Sequence, residues 1–594
     1  MKQVAQLKLA LTAWGQKAFA PIGFFAQIKP LVSAIFLLSA VLMSSCQNKV
    51  KEASSDESTA QTPYFNWEGA TIYFMLTDRF NNGDLTNDVN FDRTEPTAVL
   101  RGFEGGDLAG IIQKIEEGYF NELGVHALWM TPLVEQIHAG TDEGTGFTYG
   151  YHGYWAKDWT TLDPNFGTMD ELKTLVDAAH RKGIRVLLDA VVNHHGPQTE
   201  LDGIWPEDWV RRGPTCTHDS YAGATSCNLV ENLPDVLTES NQEVALPPQL
   251  LAKWQEEGRL DQEMAELDAF FERTGYPRAP RFYIMKWLSD YVSDLGIDGF
   301  RVDTAKHTEV TVWEEFRVIC DAAFAQWRQQ NPEAVLDESP FYLVGEVYSY
   351  DIHHLKDYDF GDRTENFFNN SFDALINFHI KGTQDMSLEE LYSDYSNILN
   401  GPMDGYGTLN FMSSHDDGSP FDKARNYPYE TARRLLLAPG AAQIYYGDEL
   451  ARPLIIEGTQ GDATLRSFMN WADLENKAET QKILSYWQRL GQFRARHMAV
   501  GAGMHQQLAS EPYTFSRQLK DQDKDHKVDD RVVIAVLSDA DLKSADQGLT
   551  IVTGEVFAEG TLLQDAFTGQ KVSVHQGAVH LTQFEDVVLL EPAL

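Results

Sequence analysis

From residue 70 onward, short apolar runs alternate along the chain with longer amphipathic runs. The short runs are typical of buried strands, and the longer runs repeat apolar residues at helical spacing. The predicted strands are 71–76, 125–130, 184–189, 297–303, 342–346, 372–378, 409–413 and 443–446. The predicted helices are 109–123, 169–182, 281–295, 312–330, 387–399, 430–438 and 478–497. Eight strands that alternate with helices predict an α/β fold, a (β/α)8 TIM barrel.

Two stretches depart from this alternation. Residues 195–280 are rich in Pro, Gly and charge, which predicts a domain inserted after the third strand. After residue 498 the pattern changes to short strands with Gly and Asp turns, most clearly over 531–594, which predicts a C-terminal antiparallel β-domain. The predicted domains are the barrel at 67–194 and 281–498, an inserted domain B at 195–280, and the β-domain at 499–594.

The N-terminus has the features of an export signal. Several lysines precede an apolar run at 31–43, which ends in Leu42-Met-Ser-Ser-Cys46. This pattern is similar to a bacterial lipoprotein signal, and it predicts a signal peptide at 1–45, lipidation at Cys46 and a flexible tether at 46–66. An ordinary signal peptide that contains a cysteine is the alternative. We expect an exported protein, attached to a membrane only by its lipid and facing the periplasm or the cell surface, and Gln47 favours the outer membrane.

The overall charge narrows the range of partners. The chain has 48 Lys and Arg against 88 Asp and Glu, a formal net charge of −40, and 43% hydrophobic residues. The hydrophobic content supports a large core. So negative a chain is not expected to bind nucleic acid or anionic lipid and suits a neutral substrate. We expect it to be a monomer.

Three cysteines lie beyond the export signal. Cys216 and Cys227 are close together in a loop rich in Gly, Thr and Ser, and an exported protein is expected to join them in a disulfide. Cys320 lies in a helical run and is expected to be a buried free thiol.

The stretch from Gly296 to His307 carries a charged pair at the end of a predicted strand. Alternate side chains of a strand share a face, so Arg301 and Asp303 point one way and the neighbouring apolar side chains point the other. At the C-terminal end of a barrel strand, the arginine would keep the carboxylate ionised. Taken alone, this pair could equally be a structural ion pair that caps the strand.

Glu346 and Asp416 end two further predicted strands. The C-terminal ends of barrel strands meet around one pocket, so these acids should converge with Asp303. A retaining glycosidase needs one carboxylate to attack and one carboxylic acid to protonate the leaving oxygen, about 5–5.5 Å apart. No cation adjoins Glu346 in sequence, and two nearby aspartates would raise its pKa. We therefore predict a proton on Glu346 and a charge on Asp303.

At this point the chain resembles glycoside hydrolase family 13, the α-amylase family, over residues 70–594. The resemblance rests on six motifs in the family's order: Asp189-Ala-Val-Val-Asn-His194, Leu233-Pro-Asp-Val236, Gly299-Phe-Arg-Val-Asp-Thr-Ala-Lys-His307, Gly345-Glu-Val-Tyr348, Phe411-Met-Ser-Ser-His-Asp416 and Ile444-Tyr-Tyr-Gly-Asp-Glu449. Further stretches, such as Thr77-Asp-Arg-Phe-Asn-Asn-Gly-Asp84, look most like the periplasmic maltodextrin-cleaving α-amylases of Gram-negative bacteria. The resemblance implies a retaining hydrolase that cleaves α-1,4-glucosidic bonds in maltodextrins or starch-type glucans.

The same resemblance implies roles for individual residues. Asp303 would be the nucleophile, Glu346 the general acid/base, and Asp416 the stabiliser of the distorted sugar. Arg301 would orient Asp303. The implied substrate-binding residues are His194 and His415 on the sugar hydroxyls, Tyr154 stacked under the sugar, and Lys306 and His307 on the leaving-group side.

Calcium is the implied cofactor. Asn193, Asp235 and the carbonyl of His307 match a site that joins the barrel to the inserted domain. A second site in the first loop is matched by Asn82, Asp84, Asn87, Asp88, the carbonyl of Gly105 and Asp107. Oxygen-only ligands favour a hard cation such as Ca²⁺. For the second site, an Asx-rich turn without metal is the alternative.

Two residues depart from the family pattern, and two alternative functions were considered. Ser414 stands where chloride-activated members have an Asn ligand, so chloride dependence is not expected, and Ala442 replaces a non-catalytic Pro.

The first rival function is a transglycosylase of the same family, of the cyclodextrin-forming type, which usually carries further domains after the β-domain. The second is a non-catalytic glucan-binding lipoprotein, which the three acids argue against.

Overall fold

The computed structural model describes residues 64–142, 144–521, 528–544 and 548–593. The predicted signal peptide, Cys46 and most of the tether lie outside these residues. Within them, no helix combines the length and apolar character needed to cross a membrane.

Eight parallel strands close into a barrel, which confirms the predicted fold. They are β1 (Thr71–Met75), β2 (Ala127–Met130), β3 (Arg185–Ala190), β4 (Gly299–Val302), β5 (Tyr342–Gly345), β6 (Ala374–Asn377), β7 (Gly407–Phe411) and β8 (Ala441–Tyr445). Each strand pairs with the next in sequence, and β8 pairs with β1 to close the ring. The strands are almost wholly buried because helices cover the outside and side chains fill the inside.

Seven helices pack around this ring: α1 (Leu108–Glu117), α2 (Met169–Arg181), α3 (Pro280–Leu295), α4 (Val310–Gln330), α5 (Leu388–Leu399), α6 (Pro428–Leu436) and α7 (Ala478–Arg496). The alternation on β4 is as predicted, since Phe300 points outward and stacks on Phe316 of α4 with ring centroids 5.6 Å apart. Between β5 and β6, residues 346–373 form no α-helix and contain the 3₁₀ turn Ile352–His354 and a short antiparallel pair of strands, Tyr358–Asp359 and Thr364–Glu365.

The region after β3 contains short elements. Strand Val210–Arg211 pairs with Asp235–Val236, and helices Pro248–Glu256 and Leu260–Thr274 follow. Cys216 and Cys227 form a disulfide around the short helix Tyr221–Thr225. The amide of Val236 donates to the carbonyl of Asn193, so the insertion pairs directly with the chain that leaves β3. The limits of the predicted domain B remain a prediction.

The C-terminal part is antiparallel, as predicted. A six-stranded sheet and a two-stranded sheet are built from β9 (Met504–Ser510), β10 (Tyr513–Asp521), β11 (Val528–Val536), β12 (Leu549–Val552), β13 (Leu562–Asp565), β14 (Lys571–Ser573), β15 (Ala578–Leu581) and β16 (Val587–Pro592). The strands begin well before residue 531, with β9. The sequence pattern did not reveal β9 because this strand is polar and largely exposed, and it therefore lacks a clear alternation of apolar and polar residues. The sheet packs on the barrel, where Phe515 contacts Tyr392 of α5.

Candidate active site

One buried arginine joins the acids at the C-terminal end of the barrel. Nη1 of Arg301 lies 2.7 Å from Oδ1 of Asp303 and 2.9 Å from Oδ1 of Asp189. Its Nη2 lies 2.9 Å from Oε2 of Glu346. The side chain of Arg301 is 1% exposed, so these ion pairs are shielded from water. Three strand ends, those of β3, β4 and β5, therefore converge on one guanidinium group.

Although no cation adjoins Glu346 in sequence, the barrel brings Arg301 from the neighbouring strand into contact with it. Burial nevertheless raises the pKa of Glu346 to about 8, and Asp416 and Asp303 add to this against the opposing charge of Arg301. Thr304 adopts a left-handed φ of 46°, which is uncommon for a β-branched residue. In this conformation its N–H donates to Oε2 of Glu346 at 2.9 Å.

Asp416 is held in its charged form at the end of β7. Burial opposes ionisation, but His415, Arg301 and the hydroxyl of Ser414 together lower the pKa of Asp416. That hydroxyl donates to Oδ1 of Asp416 at 3.0 Å. The side chain is 32% exposed, so it faces the open end of the barrel. Ser414, noted in the sequence only as a departure from the family pattern, thus contacts one of the three acids.

Asp189 is the site residue to which sequence reasoning gave no role. Its carboxylate accepts from the indole Nε1 of Trp129 at 3.1 Å and from the hydroxyl of Tyr154 at 3.0 Å, besides Arg301. Burial raises the pKa of Asp189 to about 7. The available signal was an acid at the C-terminal end of a predicted apolar strand, and the register of the barrel places Asp189 beside Arg301 on β4.

Aromatic and imidazole groups line the same pocket. Tyr154 stacks on His415 with ring centroids 5.2 Å apart, and Nε2 of His194 lies 3.2 Å from the carbonyl of Tyr154. Burial lowers the pKa of His194, and it lowers the pKa of His415 to about 4. Both rings are therefore neutral near pH 7 and can donate and accept hydrogen bonds with hydroxyl groups.

Lys306 and His307 occupy the 3₁₀ turn after β4. Nζ of Lys306 lies 3.4 Å from the carbonyl of Tyr348. Nδ1 of His307 lies 2.8 Å from the carbonyl of Ala224 in the short helix of the insertion. The ring of His307 thus connects β4 to the disulfide loop, and only its Nε2 remains for a ligand.

The first predicted calcium site brings oxygen atoms together. The side-chain oxygen of Asn193 faces the carbonyl oxygen of His307 at 2.9 Å and Oδ1 of Asp235 at 3.2 Å. Such oxygens repel one another unless the amide turns its NH₂ toward them or a cation lies between them. An all-oxygen set that includes a carboxylate and a carbonyl fits Ca²⁺.

The residues predicted for the second calcium site are only partly assembled. Asn82 and Asn87 have buried side-chain oxygens with no hydrogen-bond partner, and Asp88 lies 2.8 Å from the amide nitrogen of Asn82. Gly105 closes the group, since a Cβ there would meet Asn82 and Asp88 at under 3 Å. The side chain of Asp84 accepts from Thr86 instead. Asp107 caps α1 and also accepts from the backbone N–H of Asp84 at 2.8 Å and from Nδ2 of Asn87 at 3.4 Å, so it belongs to the group.

Comparison with known proteins identifies the class. The α-amylase catalytic-domain family matches residues 74–489. The chain belongs to this family and is therefore a glycoside hydrolase or a transglycosylase of α-amylase type. It is 33% identical over 518 residues to the periplasmic α-amylase of Escherichia coli strain K12, covering 76% of this chain and 71% of that protein. It is also 26% identical over 439 residues to the cyclomaltodextrin glucanotransferase of Thermoanaerobacterium thermosulfurigenes, covering 70% of this chain but only 54% of that enzyme.

Solved structures share the fold. The α-amylase from Geobacillus thermoleovorans, complexed with acarbose, superposes with a TM-score of 0.60 at 23% identity and covers 89% of this chain and 100% of that one. A cyclomaltodextrin glucanotransferase described as having a three-domain ABC distribution gives a TM-score of 0.58 at 19% identity, with coverages of 88% and 99%. That transferase aligns with most of this chain and has almost no sequence beyond the aligned part. The number of domains therefore does not distinguish a hydrolase from a transglycosylase here.

Proposed function

We propose that this protein is a retaining hydrolase of α-1,4-glucosidic bonds in maltodextrins or starch-type glucans, with Asp303 as nucleophile and Glu346 as general acid/base. The observation that carries the proposal is the bridge from Arg301 to both carboxylates, at 2.7 and 2.9 Å. One guanidinium spanning both acids favours the short separation of a retaining site, about 5–5.5 Å, over the wider spacing of an inverting one, about 6.5–9.5 Å.

The hydrogen bonds of the two acids support different roles for them, with Glu346 as proton donor and Asp303 as nucleophile. Oε2 of Glu346 accepts from both Thr304 and Arg301, so the proton belongs on Oε1. Oδ1 of Asp303 accepts from Arg301, while Oδ2 has no protein donor among the described residues. Oδ2 is therefore the oxygen free to attack the sugar, and Oε1 is the group that can protonate the leaving oxygen.

The reaction then follows in two steps. Oδ2 of Asp303 forms a bond to the anomeric carbon as the bond to the leaving oxygen breaks, and that oxygen takes the proton from Glu346. Glu346, now a carboxylate, removes a proton from water, which attacks the anomeric carbon and releases Asp303. Asp416 stays ionised and accepts hydrogen bonds from sugar hydroxyls. Two inversions at one carbon retain the α-configuration.

The pocket lining supports a neutral sugar as substrate. Tyr154 offers an aromatic face suited to the C–H edges of a pyranose, and neutral His194 and His415 suit its hydroxyls. The choice of an α-1,4-glucan rests on the relatives, among them the periplasmic α-amylase.

Product analysis on maltoheptaose tests the proposal. We expect linear shorter oligosaccharides, with the α-anomer appearing first in proton NMR. Initial β-anomer would contradict retention, and cyclic or lengthened products would assign the chain to the transglycosylases instead. Binding without release of reducing sugar would support the non-catalytic alternative.

Calcium is proposed at Asn193, Asp235 and the carbonyl of His307. A second ion is proposed in the first loop, at Asn82, Asp84, Asn87, Asp88, the carbonyl of Gly105 and Asp107. An ion at the first position would hold the turn after β4 against the insertion. Chelation by EDTA should lower Tm, and Ca²⁺ alone should restore it. An Asp235→Asn variant that responds to both reagents like the unmodified protein would contradict the first site.

Export with a lipid anchor at Cys46 is also proposed. The periplasmic relative and the Cys216–Cys227 disulfide support export, because disulfides persist in oxidising compartments. Cys46→Ala should release the protein from the membrane fraction. A variant that remains lipidated and membrane-bound would rule out Cys46 as the attachment point.

A further inference from the structure

Three side chains of types that can bind a metal ion lie together outside the active site, in the loops that follow β5 and β6. Asp351 and His353 belong to the long connection after β5, and His379 follows β6. Each of the three offers one ligand atom, and these atoms lie within 4.8 Å of one another. His353 is 42% exposed, so the group is open to solvent.

Two residues of helix α5 form hydrogen bonds with the imidazole rings of His353 and His379. Nε2 of His353 lies 2.7 Å from Oδ2 of Asp394, and Nδ1 of His379 lies 2.9 Å from the hydroxyl of Tyr395. The other nitrogen of His353, Nδ1, lies 2.5 Å from Oδ1 of Asp351. Histidines that bind a metal commonly donate their second N–H to a carboxylate or another oxygen, which fixes the tautomer. Two consecutive residues of one helix thus provide an outer layer of hydrogen bonds for two potential ligands.

We propose that Asp351, His353 and His379 bind a divalent transition-metal ion of the zinc type. Two imidazoles and one carboxylate suit Zn²⁺, whereas Ca²⁺ takes oxygen ligands. Three protein ligands with one exposed side leave a fourth position for water. This site shares no residue with the two calcium sites or with the catalytic acids.

The ion would connect two loops at the rim of the active site. The connection after β5 begins at Glu346 and contains no α-helix. Tyr348 in this connection packs on Phe378, the residue before His379, with ring centroids 4.9 Å apart. The amide of Phe378 also donates to the carbonyl of Tyr350 at 2.8 Å. A metal bond between Asp351 and His379 would therefore reinforce an existing contact between the β5 and β6 loops.

Protonation of His353 is the alternative to a bound metal ion. Although burial opposes it, the hydrogen bonds to Asp394 and Asp351 raise the pKa of His353. A protonated His353 between two carboxylates would give the same contacts around that ring without a metal. It would not involve His379, which has no carboxylate hydrogen bond among the described residues. Dependence on His379 therefore distinguishes the two.

Zinc binding to the full chain, without an added histidine tag, tests the proposal. Equilibrium dialysis against zinc chloride near neutral pH, with Ca²⁺ in excess to occupy oxygen-only sites, should give one zinc per chain. His379→Ala should weaken this binding roughly 100-fold or more, and Asp394→Asn roughly 10–100-fold. His580→Ala removes an exposed histidine on β15, outside the group, and should bind zinc like the unmodified chain.

Two readouts make the result decisive. Zinc should raise Tm of the unmodified chain and of His580→Ala but not of His379→Ala. Should His379→Ala fail to fold, His353→Ala at the exposed position provides the same comparison. Absence of zinc from the unmodified chain, or undiminished zinc binding by folded His379→Ala or His353→Ala, would overturn the proposal.

Discussion

At the scale of single residues, Arg301 determines how charge is distributed in the site. One buried cation faces three carboxyl groups, those of Asp189, Asp303 and Glu346. Burial disfavours several uncompensated negative charges, so part of the set retains protons. The raised pKa values of Glu346 and Asp189 follow from this imbalance, and they leave a proton where a general acid needs one.

The first prediction concerns Glu346. In the proposed mechanism the protonated form of Glu346 is the active one, so kcat/KM should fall as pH rises through about 8. Glu346→Gln should lower kcat on maltodextrins by roughly 10²–10⁴-fold, with binding largely kept and the alkaline limb lost. The exposed Glu333→Gln is the matched control and should behave as the unmodified enzyme. An alkaline limb that survives in Glu346→Gln would assign the acid to another group.

The second prediction concerns Ser414, whose hydroxyl donates to Asp416 at 3.0 Å. A hydrogen bond to a charged group contributes about 1.5–3 kcal/mol, and one pKa unit corresponds to about 1.4 kcal/mol. If ionisation of Asp416 sets the acid limb of kcat/KM, Ser414→Ala should therefore move that limb to higher pH by about one to two units. Ser414→Thr keeps a hydroxyl and should retain the original limb. An unchanged profile in Ser414→Ala would mean that the acid limb does not report Asp416.

At the scale of elements, the sequence predicted the strands well because parallel barrel strands are short apolar runs with polar ends. It also placed Asp303, Glu346 and Asp416 at strand ends, which is sufficient to bring them together. It could not predict the contact between Arg301 and Glu346, because that contact depends on how far a long side chain reaches toward the neighbouring strand. The grouping of His379 with Asp351 was missed for the same reason, since they lie in the connections that follow two different strands.

The disulfide loop is the element that the third prediction tests. Cys216 and Cys227 enclose the helix whose Ala224 carbonyl bonds His307 after β4. Replacing both cysteines with Ser should destabilise the insertion by about 2–4 kcal/mol. Activity should also fall, because the turn that holds Lys306 and His307 loses its support. Urea unfolding and kcat/KM on maltoheptaose measure the two effects.

A reductant provides the control for this variant. Dithiothreitol should lower Tm of the unmodified chain toward that of the double variant and leave the variant unchanged, because Cys320 is a buried thiol. Mass spectrometry that finds both thiols free in the native protein would refute the expected bond.

At the scale of the whole molecule, a partly buried histidine joins the barrel to the C-terminal sheet. His497 directly follows α7, and its two ring nitrogens lie 2.8 Å from Asp530 on β11 and 2.7 Å from Glu591 on β16. Only the protonated ring can donate to both carboxylates at once. Although burial opposes it, these hydrogen bonds raise the pKa of His497.

The fourth prediction follows from the sign of that shift. A pKa raised by folding stabilises the native state fully below the unfolded value, about 6.5, and this contribution is lost as pH rises through the folded value. His497→Gln should therefore lower Tm clearly at pH 6 and by much less at pH 9. His580→Gln, at an exposed position on β15, should lower Tm little at either pH. An equal loss in His497→Gln at both values would mean that packing, rather than the charged hydrogen bonds, joins the barrel to the sheet at this point.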